Sequence, residues 1–107
     1  MPQQILPFTA VQPGLAKRIE FPLHPQTVSP EHVGGLLEAV LDALSGQISA
    51  RGQVSDGDVL QALSMALAIR MHMVAAPIET VQPVVAELLA GAEEAVAASV
   101  PEPAGKA

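Results

Sequence analysis

Residues 55–76, SDGDVLQALSMALAIRMHMVAA, constrain the fold more than any other stretch, because they read as a helix that is apolar around most of its circumference. Ser55 has the chemistry of an N-cap, and Asp56 and Asp58 fall in the first turn, where unpaired N–H groups and the helix dipole favour negative charge. At about 100° per residue, Val59, Leu60, Leu63, Leu67, Met71 and Val74 line up as one broad stripe. Ala62, Met65, Ala66, Ile69 and Met73 extend it on one flank, leaving a narrow polar strip at Gln61, Ser64 and His72. A helix of this kind is expected to be buried on more than one side, at the centre of the domain.

Arg70 lies inside that apolar arc, and the residues three and four positions away are Ala66, Leu67, Met73 and Val74, so no acid on the same helix can pair with it. Two readings follow. Either its alkyl stem covers apolar surface while the guanidinium reaches water near the helix C-terminus, or a carboxylate from another element or chain meets it.

A second helix is written over 30–51. Ser29-Pro30-Glu31 supplies a cap, a proline at the first position and an acid behind it, and Gly52 supplies the stop. Val33, Leu36, Leu37, Val40, Leu41, Leu44 and Ile48 follow helical spacing, with Glu38, Asp42, Ser45 and Ser49 opposite. A third helix spans about 80–99, capped at Thr80 or entering from Pro77 with a kink at Pro83; Val81, Val84, Val85, Leu88, Leu89 and Val96 form its apolar stripe.

Before the helices, Ile19, Phe21 and Leu23 alternate with polar residues and Pro22, which predicts one short edge strand over about 17–23. Residues 1–16 contain Pro2, Pro7, Pro13 and three glutamines, and are expected to form a flexible arm, extended or loosely ordered. A single strand leaves its backbone donors and acceptors unpaired, so pairing with its own copy in a second subunit is the favoured solution. The expected fold is therefore mainly all-α: a single helical domain over 17–100, built as an antiparallel three-helix bundle, dimeric, with a disordered tail at 101–107.

Composition narrows the functions. A formal charge of -6 with only five basic residues opposes binding to a phosphate backbone. A helix–turn–helix reading fails for a related reason: the would-be recognition helix opens on Asp56 and Asp58, two acids aimed at phosphates. Absence of cysteine excludes disulfides and thiolate metal sites. Gln61, Arg70 and His72 argue against a membrane span, and a cytoplasmic location is the default expectation.

Asp56-Gly57-Asp58 opens like a calcium loop, but its twelfth position is Leu67 where a bidentate acid is required. Met71, His72 and Met73 point about 100° apart on a helix and cannot converge on one ion, while His24 and His32 lack helically spaced partners. No nucleophile elbow, phosphate loop or dinucleotide fingerprint is present, so neither catalysis nor a cofactor is expected.

What remains is an association module, an adaptor or accessory subunit that pairs with itself or docks into a larger assembly. Its interface candidates are Met65, Ile69, Arg70, His72 and Met73 on the apolar helix, and Phe21 on the strand. The alternative is a small-molecule binder whose apolar slot is lined by Met65, Met71 and Met73, with Arg70 or His72 at its polar end.

Overall fold

The structure, a computed structural model, describes residues 3–12 and 14–101. Elements run in the order β1 (Ile5–Gln12), β2 (Leu15–Pro22), α1 (Pro30–Arg51), α2 (Asp56–Met73), α3 (Ile78–Ala97) and β3 (Val100–Pro101). The strands form one antiparallel sheet in the order β1-β2-β3. Of the expected disordered tail over 101–107, Pro101 instead pairs with Lys17 in β3, and 102–107 lie outside the described residues, as do Met1, Pro2 and Pro13.

The sheet overturns the all-α expectation. Strand β2 pairs with β1 of its own chain along the full register from Ile5 opposite Pro22 to Gln12 opposite Leu15, so it needs no second subunit. The supposed arm is a strand because Ile5-Leu6-Pro7-Phe8-Thr9-Ala10-Val11 is rich in β-branched and aromatic residues, and because its proline is harmless where it falls. Leu23 N–H donates to the Gln4 carbonyl at 2.9 Å, which fixes the phase of the ladder. By the antiparallel alternation, even-numbered β1 residues bond to β2 and odd-numbered ones point their backbone to the open edge, so Pro7 forfeits no ladder bond. Gly14 reverses the chain at φ +84°, the conformation that the second central position of a type II turn requires.

One face of the hairpin carries Leu6, Phe8, Ala10, Ile19 and Phe21, and this face is covered; Ile5, Thr9, Val11 and Glu20 on the other are exposed. Ala10, Ile19 and Leu23 are the buried apolar residues of the described chain. Phe8 and Phe21 meet diagonally across the two strands with ring centroids 6.4 Å apart and planes inclined by 53°.

The helices arrange themselves around that face rather than around one another. Helix α1, capped by Ser29 Oγ accepting from the His32 N–H at 3.2 Å, lies on β1. Leu37, Leu41, Leu44 and Ile48 are its half-buried apolar residues, and Gly34 backs onto Leu6. Ser45 Oγ donates to Gln12 Oε1 at the end of β1. Helix α3 lies on β2, with Gly91 against Pro22, and carries Pro83 in its interior. Helix α2 packs against α3 alone.

The expected antiparallel three-helix bundle is therefore not formed, and α2 is the outermost element instead of the central one. The physical reason is competition: the covered sheet face offers α1 and α3 a flat apolar partner, and neither then wraps around α2.

Two substitutions test this local account by urea unfolding. Gly14→Val should destabilise by about 1 kcal/mol, because a β-branched residue is strained at positive φ. Gly35→Ala, where an added Cβ meets nothing within 4 Å, should stabilise by about 0.5–1 kcal/mol through helix propensity.

Candidate association surface

Helix α2 starts as its sequence dictates: Ser55 Oγ accepts from the Asp58 N–H at 3.1 Å, and Asp56 and Asp58 occupy the first turn. Val59 and Met71 are the only residues of this helix that are even half-buried, and α3 is the one element against which it packs. The flank that turns away carries Ala62, Met65, Ala66, Ile69 and Met73 at spacings of three and four, hence on one continuous stripe. Met65 is 56%, Ile69 63% and Met73 62% exposed. Three large apolar side chains in a row therefore stand in water along the outer helix.

Arg70 and His72 are exposed at the C-terminal end of α2, where positive charge suits the dipole. The Arg70 guanidinium Nη1 lies 3.4 Å from the Met73 thioether, a weak acceptor at the margin of the stripe. Of the sequence candidates, the structure brings Met65, Ile69 and Met73 onto one surface with Arg70 at its border. Phe21 belongs elsewhere: it is half-buried on the covered sheet face beside Phe8. The three methionines are not brought together: Met65 and Met73 are exposed, whereas Met71 is half-buried.

Sequence reasoning missed a second exposed apolar strip. Leu36 is 67% exposed and Val40 46%, on the flank of α1 that turns away from the sheet. The signal was the width of the apolar arc on α1, which exceeds what a two-stranded partner can cover.

Open clefts flank the sheet among the described residues. One of about 560 Å³ lies where α3 and β3 meet the sheet, bordered by Phe8, Arg18, Glu20 and Ala95; another of about 350 Å³ lies between β1 and α1, bordered by Gln12, Glu38 and Asp42. Among the described residues no three His, Asp or Glu side chains are grouped as metal ligands. No helix of the described residues is long and apolar enough to cross a membrane. The chain matches no family model, no curated protein and no solved structure.

The division between core and surface gives contrasting mutational outcomes at the lowest working concentration. The triple change Met65→Gln, Ile69→Gln, Met73→Gln and the single change Arg70→Met should each leave unfolding free energy within about 0.5 kcal/mol per site. Ile19→Ala, at a position only 4% exposed, should cost about 2–5 kcal/mol. A loss on α2 as large as that at Ile19 would place the core in the wrong layer.

Proposed function

We propose that this protein is a non-catalytic association module, an adaptor or accessory subunit whose α2 surface is covered by protein in its working state. The supporting observation is the accessible area. One chain exposes 8138 Å², whereas a compact 11.0 kDa monomer exposes about 5,600 Å². Even after allowing for the nine undescribed residues at the rate of a fully extended chain, about 1,500 Å² of excess remains. The radius of gyration agrees, at 15.3 Å against about 13 Å for a compact domain of this length.

The composition of the excess matters as much as its size. Leu60, Met65, Ile69 and Met73 on α2, Leu36 and Val40 on α1, and Leu88 and Leu89 on α3 are all exposed. Isolated apolar residues on a surface are ordinary, but a continuous helical stripe of them marks an interaction surface. The acids Glu38, Asp42, Glu87, Glu93 and Glu94, also exposed, keep the remaining surface hydrated.

Coupling of folding to association has a direct signature. The melting temperature should rise with protein concentration across the micromolar range, because a partner that binds only the folded state adds stability by mass action. A sharp, concentration-independent melt of a species that light scattering shows to be a monomer would contradict the proposal.

A further inference from the structure

Resting on the association reading, we infer that the occupant of the α2 stripe is α2 of a second copy of this chain, laid antiparallel across a two-fold axis that passes between Met65 and Ala66. Three observations select this occupant and this direction.

The first is area. An obligate homodimer covers roughly 1,000–2,500 Å² on each subunit, and the excess surface of this chain, which α2 shares with α1 and α3, falls within that range.

The second is the alternation of large and small residues along the stripe. An antiparallel pairing centred between Met65 and Ala66 sets Ile69 of one copy opposite Ala62 of the other, and Met65 opposite Ala66. Met65 and Ile69 then each face a methyl group, so the two helices approach closely at the centre of the stripe while their knobs interlock. The same stripe laid parallel sets Ile69 on Ile69 and Met65 on Met65, with the alanines facing one another across a gap.

The third is charge. Asp56 and Asp58 occupy one end of α2, Arg70 and His72 the other. Antiparallel pairing brings the acidic end beside the cationic end of the copy, and opposes the helix dipoles favourably; parallel pairing stacks the acids together. In the stated register Asp58 lies opposite Met73 of the copy, and Met73 is the residue whose sulfur the Arg70 guanidinium touches. The Asp58 carboxylate thus arrives beside the other chain's Arg70 and replaces a weak thioether contact with a charge-assisted hydrogen bond, twice over by symmetry. This accounts for a cation set in an apolar arc with no acid of its own helix within reach.

The chain contains no cysteine, so single cysteines give unambiguous cross-links. Wild-type mass is first measured by light scattering, and Ala66→Cys and Met73→Cys are then treated with a short bismaleimide. Two-fold symmetry puts residue 66 beside its own copy but separates the two copies of residue 73 by about 22 Å along the helix. The expected result is a dimer in which Ala66→Cys links to itself and Met73→Cys does not, while Ile69→Asp weakens dimerisation by roughly tenfold or more with helicity by circular dichroism unchanged.

A dimer in which both cysteines self-link would overturn the antiparallel arrangement, and a dimer in which neither links would overturn the use of α2; both leave the association reading standing. A monomer throughout the micromolar range would remove the second copy as occupant, and a concentration-independent melt alongside it would remove the association reading as well.

Discussion

Burial of one face of the β1–β2 hairpin holds this molecule together. Leu6, Phe8, Ala10, Ile19 and Phe21 present a flat apolar layer, and Leu23 continues it past the end of the strand. Everything that is well packed touches that layer: α1 across β1, and α3 across β2. A small chain has few ways to bury apolar area, and an antiparallel hairpin covered on one side by two helices is a stable two-layer solution. Its cost is that three helices with apolar surface to bury compete for a sheet face with room for two.

Helix α2 is the one left over. It follows α1 after a short connection and leads into α3 after another, so it cannot travel far, and it settles against α3 from outside. Val59 and Met71 are half-buried there, while Met65, Ile69 and Met73 stay exposed within one chain. A surface helix selected only for solubility would carry charge there. This one carries a stripe of methionine, isoleucine and alanine, bounded by acids at one end and by Arg70 and His72 at the other. The apolar excess is therefore a property of the single chain, and association is the proposed means of covering it.

Helix positions were legible from capping chemistry. Ser29-Pro30-Glu31 and Gly52 bracket α1, and Ser55 with its two following acids opens α2. The hairpin was also written in the chain, as two runs of strand-forming residues separated by the turn dipeptide Pro13-Gly14, but Pro7 and the neighbouring glutamines disguised it as an arm. A proline weighs against a strand only when its missing N–H faces a partner, and that phase cannot be read before the register is known. The layer assignment went wrong for a related reason. Apolar width shows how much of a helix seeks cover, yet it does not distinguish cover by the same chain from cover by another, so the helix with the widest apolar arc was placed at the centre when it belongs at the edge. The surface candidates were more legible than the fold: the spacing of Met65, Ile69 and Met73 determines that they share a flank wherever the helix sits.

The sheet is the core of one chain, and the outer flank of α2 is proposed to be covered only by another. Amide hydrogen exchange read segment by segment across a dilution series tests it most directly, since exchange reports local opening. The account requires slow exchange in β2 at every concentration, and protection in α2 that is weak when dilute and grows as the protein is concentrated. Protection of α2 matching that of β2 at the highest dilution would show that a single chain already hides this helix, and would contradict the account.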